Sequence, residues 1–294
     1  MLHLPSTLKR LQGEATRGKT AQNRLRRLDL FLKRYDPALL LRADGDYAQA
    51  LFVDLGYGAS PVTTLESARQ LRQINSKLGI LGVEIDPDRV AAAQNAATDT
   101  IHFRLGGFNL PLKFQSNGRL ETVRAIRALN VLRQYDEADV SDAYAQLAEY
   151  VLPGGLLLEG TSNPLGRLMV INLLRRSAAD AAQPWQVEGL LFSTNFRSEK
   201  ATGRQGHFDP SEFQAVLPKN QIHRMVAGEP IYAFMQAWKR SALACAAVQT
   251  WGARQWFIAT AEHLRASGFT VNTQRKWLSK GYLIWHTGGQ IISF

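Results

Sequence analysis

The chain has 294 residues, 45% of them apolar and 20% charged, which is the composition of a folded domain or two and excludes a disordered chain. One cysteine, Cys245, rules out an internal disulfide and any multi-thiolate metal site, and none of the six histidines forms an HExxH pair, so no metal site is expected. No apolar run approaches the ~18 residues of a membrane span. The start MLHLPSTLKRLQ also lacks a secretory core, so a cytoplasmic setting without membrane contact is expected.

The net charge of +10 is unevenly placed. Nine Lys/Arg face two acids in residues 1–34, eleven face four in 200–294, and the middle is acidic. Basic flanks around an acidic centre suggest an anionic partner; solvated surface cations are the plainer alternative.

In chain order, residues 7–34 read as a basic arm, partly helical. Leu25, Leu28, Phe31 and Leu32 form an apolar stripe that implies docking on a core. From residue 50 the pattern alternates. The strand LFVD (51–54) runs into LGYGASP, and Ser60-Pro61 starts a helix to about residue 77. ILGVEI (80–85) is a second strand, and Asp86-Pro87 opens an Ala-rich helix over 87–97. IHFRL (101–105) and ETVRAIRA (121–128) are further strands. A helix over 136–151 is broken by PGG (153–155) before the strand LLLEG (156–160). Such alternation predicts parallel βαβ units in a doubly wound α/β sheet. Beyond it, 169–176 and 187–194 could form a hairpin, 198–210 is a polar loop and 211–266 is largely helical. A helix closed by Gly268 and two antiparallel strands end the chain.

The segment VDLGYGASP (53–61) carries the most chemistry. A strand delivers Asp54 to its carboxyl end, Gly56 and Gly58 flank Tyr57 in a tight turn, and a helix follows, as at the ligand crevice of an open sheet. Pro61 stands where a dinucleotide fingerprint has its third glycine, and no phosphate-gripping Lys-Ser/Thr follows. The loop therefore fits a nucleoside without a pyrophosphate better than NAD or ATP. Glu84 ends the second strand, 26 residues after Gly58, where a carboxylate can accept both hydroxyls of a ribose. Asp86 is better placed as a helix N-cap than as a ligand contact.

In VDLGYG (53–58), GVEID (82–86), FRLGGFNLP (103–111), VRAIRALNVL (123–132) and LPGGLLLEG (152–160), the chain resembles the class I, Rossmann-like S-adenosylmethionine-dependent methyltransferases over about residues 50–160. LRASGF (264–269) extends the likeness weakly. The resemblance implies a mostly parallel seven-stranded sheet with a basic N-terminal helical arm (1–49). It implies a cofactor-binding core (50–162), an insertion of hairpin and helices for substrate (163–250), and a final helix and terminal hairpin (251–294). It implies S-adenosylmethionine as cofactor. Gly56 and Gly58 would pass under the methionine part, Asp54 would hold the ammonium side through the loop, Glu84 would bind the ribose, and Phe108 and Asn109 would flank the adenine. No acid follows the third strand to read the adenine amino group; Asn109 could take that part. Asn130 falls near the transferred methyl, as a weak candidate for catalysis, and the Asn/Asp-Pro-Pro-aromatic run of base-modifying members is missing. Arg17 and Arg24 in the arm are weak substrate candidates.

Methyl transfer to an unidentified acceptor, small or anionic, is the expected activity. The rivals are a non-enzymatic nucleoside- or RNA-binding protein on the same fold and, less favoured, a nicotinamide-dependent oxidoreductase. No RNA-binding signature with interleaved aromatics is present. Trp251 and Trp256 are expected in the core rather than in a substrate platform, and neither His207 nor His223 has an acid partner evident in the sequence.

Overall fold

The computed structural model describes residues 12–14, 20–115, 118–196 and 207–288. The apolar stripe of the arm becomes α1 (Arg26–Tyr35), preceded by a turn, and Leu25, Leu28, Phe31 and Leu32 are all buried. At about 1.5–3 kcal/mol for each large apolar side chain removed from water, that stripe fixes α1 to the body of the protein. A short α2 (Pro37–Leu41) follows, capped by the side chain of Asp36.

β1 (Leu51–Leu55), α3 (Val62–Leu71), β2 (Ile80–Glu84), α4 (Pro87–Ala93), β3 (Ile101–Leu105), β4 (Val123–Leu129) and α5 (Glu137–Ala148) then alternate as the spacing predicts. Asp86 caps α4, accepting from the amides of Asp88 and Arg89. β5 (Val151–Ser162), β6 (Leu168–Arg176) and β7 (Trp185–Thr194) form a meander. α6 (Lys219–Ile222), α7 (Pro230–Ala244), α8 (Ala253–Ala266), α9 (Arg275–Leu278) and β8 (Tyr282–Trp285) complete the described chain.

The sheet has eight strands in the order β3-β2-β1-β4-β5-β6-β7-β8. Pairing is parallel from β3 to β5 and antiparallel from β5 to β8. This corrects the seven-stranded, mostly parallel expectation: the sheet is mixed, because short turns rather than crossover helices join β5, β6 and β7. PGG does not end an element either. β5 runs through it with a bulge against β4, and Gly154 supplies the positive φ of 86°. Of the terminal strands, β8 pairs with β7, Val271 makes one isolated bridge to Trp285, and residues 289–294 lie outside the described residues.

Alternate residues of each strand face opposite layers. Phe52, Ala125, Leu158 and Ile171 pack with α1, α2 and α3 on one face; Val53, Ile126, Leu157 and Val170 pack with α5, α7 and α8 on the other. Trp238 and Trp285 belong to the second layer and Trp277 to the first, with Trp256 packed at its margin. Trp251 differs from expectation: it is 77% exposed. No helix among the described residues is long and apolar enough to cross a membrane.

Candidate functional site

Strand order reverses between β1 and β4, and the carboxyl ends of these strands open a crevice. Leu55 and Gly56 line both parts of it, dividing it into two halves. Gly56 (φ 67°) and Gly58 (φ 83°) both lie in the left-handed region, which is why the turn after β1 needs glycine.

One half, about 50 Å³, is bounded by Asp54, Gly56, Gly58, Arg24 and Asn130. Asp54 does not aim its carboxylate at this space. It is buried, and its oxygens take Arg127 Nε at 3.0 Å, Arg127 Nη2 at 2.7 Å and the Thr64 hydroxyl at 2.7 Å. Arg127, on the neighbouring strand β4, also reaches Asp29 of α1 at 2.7 Å. One buried guanidinium thus lies between two buried carboxylates. Loss of water on burial, aided by the neighbouring Asp54 charge and opposed by Arg127, pushes the Asp29 carboxyl up to about 6, the acid whose second oxygen has no hydrogen-bond partner among the described residues. Arg127 is held charged by both neighbours. Asp54 therefore ties β1 to β4 and to the first turn of α3 through Arg127, Thr63 and Thr64.

Asn130 adopts φ 62°, one of two described non-glycine residues with positive φ. Its amide donates to Gly160 O, its side-chain oxygen accepts from the Ser162 amide at 2.9 Å, and its side-chain nitrogen donates to the Ser162 hydroxyl at 3.1 Å. Arg24 Nε donates to the same hydroxyl at 3.1 Å. Asn130, Ser162 and Arg24 thus form one network at the mouth of this half. Tyr57, also expected to bind the cofactor, lines this half as well, while its ring packs on Phe103 and its hydroxyl donates to Arg89 O. Arg17 lies outside the described residues.

The other half is bounded by Glu84, Gly107, Phe108, Val131 and Tyr135, and residues 12–14 lie inside it. Glu84 is 1% exposed; one oxygen accepts from the Gly58 amide at 2.8 Å, the other from the amides of Ile85 and Asp86 at 3.0 and 3.3 Å. Its carboxylate therefore ties the glycine turn to the end of β2. The Phe108 amide donates to Gln12 O at 2.9 Å, and the Gln12 amide donates to Asn109 Oδ1 at 3.1 Å. Gln134 Nε2 donates to Glu14 O, and the Glu14 amide donates to the Tyr135 hydroxyl. Gly107 is required here: a Cβ on it would sit 1.9 Å from Gln12 O. With residues 12–14 in place, about 20 Å³ remains, room for about one water.

The structure brings Asp54, Gly56, Tyr57, Gly58, Glu84, Phe108, Asn109, Asn130 and Arg24 to one crevice. Sequence reasoning missed Arg127, Ser162 and residues 12–14. Only Arg127 left a signal, a cation within the apolar strand VRAIRAL. His207, unpaired by sequence reasoning, lies 3.3 Å from Glu212, with both side chains exposed.

No family model matches the chain, and no curated protein matches it in sequence. Among solved structures, similarity is found to a putative sarcosine dimethylglycine methyltransferase from Galdieria sulphuraria, with 18% identity, 51% of this chain and 55% of that one covered, and a TM-score of 0.33. It is found to human N-acetylserotonin methyltransferase in complex with S-adenosylmethionine, with 21% identity, coverage of 47% and 38%, and a TM-score of 0.30. A pericyclic reaction enzyme matches with 16% identity, coverage of 45% and 30%, and a TM-score of 0.33. The matched part spans between about a third and about half of these chains.

Proposed function

We propose that the crevice binds S-adenosylmethionine and that the protein transfers its methyl group to an acceptor. The observation that carries this reading is the donor–acceptor pair of the Phe108 amide and Asn109 Oδ1, set beside Glu84 and the Gly56–Gly58 turn. The pair engages the C=O and the N–H of one residue, Gln12. Those are the acceptor and donor that the N1 and amino group of an adenine present in the same order. Glu84 stands at the end of the adjacent strand, where it would meet ribose hydroxyls, and Arg24 at the mouth of the other half suits a carboxylate. The residues fit the cofactor on one condition, that residues 12–14 leave the adenine half.

The bound cofactor supplies a methyl group already activated on a sulfonium. The protein's part is alignment and exclusion of water. Arg24 and the Asn130–Ser162 pair hold the mouth of the methionine half, and the left-handed turn at Asn130 fixes the wall facing the acceptor. An oxidoreductase reading is disfavoured by Pro61, which opens α3 where a dinucleotide site needs close glycine packing.

S-adenosylhomocysteine at about a hundred times its dissociation constant should stabilise the protein by about 2.7 kcal/mol, raising the melting temperature by roughly 4–5 °C. A shift with NAD and none with S-adenosylhomocysteine would overturn the proposal.

A further inference from the structure

One face of α1 opens onto a groove of about 670 Å³ that also reaches the start of α8 and the turn before β8. Arg26 and Arg34 project from α1 two turns apart, Arg254 from α8, and Lys280 from the turn. All four are exposed, and none forms an ion pair with a carboxylate among the described residues. No Asp or Glu lines the groove among the described residues. A fifth cation, Arg27, is spent on structure: it donates to the Ser193 hydroxyl and Lys280 O and stacks 4.7 Å over the Tyr282 ring. It sets the floor while the other four surround open space. Asn23, on the rim, is the immediate neighbour of Arg24, which lines the methionine half of the crevice. Four like charges that converge without a counter-charge favour an anionic occupant of matching span.

We propose that this groove binds the phosphate groups of the methyl acceptor. The proposal rests on the methyltransferase reading only for the word acceptor, since phosphate binding can be measured without the cofactor. The same chemistry could come from a nucleic-acid strand or from a small polyphosphate ester.

The test uses the full chain with two probes, a fluorescein-labelled ten-nucleotide oligouridylate and inorganic tripolyphosphate, at ~50 mM salt. The paired substitution Arg34→Glu with Lys280→Glu is compared with Arg69→Glu with Arg240→Glu, which changes net charge equally at exposed positions outside the groove. The groove pair should weaken binding at least 10-fold and reduce the logarithmic salt slope for the oligonucleotide by about 1.4, two phosphate contacts at ~0.7 each. The control pair should change it less than 3-fold. Binding of the oligonucleotide identifies a strand, and binding of tripolyphosphate alone a small ester. Binding of neither below 1 mM, or equal losses in the two pairs, overturns the proposal. A thermal shift with S-adenosylhomocysteine that survives in the groove pair keeps the cofactor reading separate from this outcome.

A different observation carries a second inference. The backbone N–H and C=O of Gln12 occupy the donor–acceptor pair of the adenine half, and the space left admits about one water. We infer that residues 12–14 are a built-in competitor of the nucleoside, exchanged for it on binding. This rests on the proposed cofactor.

Gln12→Pro removes the N–H that donates to Asn109 while leaving the chain otherwise complete. It should tighten S-adenosylhomocysteine binding about 3- to 10-fold by titration calorimetry. Hydrogen exchange gives an independent reading: in the wild-type protein the amides of residues 12–14 should lose protection when the ligand saturates. Equal affinities together with unchanged protection overturn the exchange mechanism. Absence of binding by either protein overturns the cofactor reading, and this one with it.

Discussion

Two populations of arginine differ in what they face. Inside the sheet, Arg127 meets two carboxylates. Arg124 donates to five backbone carbonyls, those of Leu39, Leu40, Arg42, Tyr47 and Ala50, three of which belong to the carboxyl end of α2 or its cap. Along the groove, Arg26, Arg34 and Arg254 meet no carboxylate. A buried cation without partners would cost several kcal/mol, so the interior admits none, whereas water tolerates an exposed one at little cost. Matched charge marks the scaffold, and unmatched charge marks the surface that faces something else.

Breaking the matched side should have the largest effect. Arg127→Met leaves Asp29 and Asp54 buried and facing each other, and should lower unfolding stability by about 3–5 kcal/mol in urea titration. A loss under 1 kcal/mol would show that water reaches this triad.

The next test uses a buried acid with no cation. Glu159 accepts from the Tyr144 hydroxyl at 2.7 Å and Asn172 Nδ2 at 2.8 Å, yet burial pushes its carboxyl up to about 7. Its folded value lies above the ordinary ~4.3. The stability it contributes is complete below pH ~4 and is lost as the pH climbs through 7. Relative to Glu159→Gln, the wild-type protein should lose about 3 kcal/mol between pH 4 and 8. Parallel pH profiles for the two proteins would contradict this.

Glu84→Gln should act on both affinity and stability. The amide keeps one acceptor oxygen but sets its NH2 against either the Gly58 N–H or those of Ile85 and Asp86, at about 1–3 kcal/mol of stability. S-adenosylhomocysteine affinity should fall on the order of 10-fold or more, read by calorimetry. The smallest effect belongs to the groove: Arg34→Glu should change stability by less than about 0.5 kcal/mol, and a larger loss would place Arg34 with the matched set.

The parallel half of the fold was legible because its signals are local. Alternation of apolar runs with capped helices marks β1 through α5, and Asp86-Pro87 marks a helix start within one residue. The antiparallel half was harder to read. Proline and glycine at 153–155 signal a break in sequence, but a bulge with one positive φ absorbs them into β5. In the crevice, the glycine turn and Glu84 were readable from spacing. That Asp54 serves Arg127 was not, because Arg127 gains its meaning from Asp29, 98 residues earlier. Residues 12–14 carry no periodicity, so nothing in their sequence announced where they would lie.

The contacts of α1 also set a schedule. Asp29 waits for Arg127, and the Tyr282 hydroxyl closes on Arg27 O across 255 residues of sequence. During synthesis at ~5–20 residues per second, α1 stays without its last strand for roughly 10–50 s. Phe31 lacks its ring contacts with Trp277 and Tyr282 throughout that interval, and loop-closure entropy delays this last docking further. An early helix is therefore completed only when the last described strand arrives.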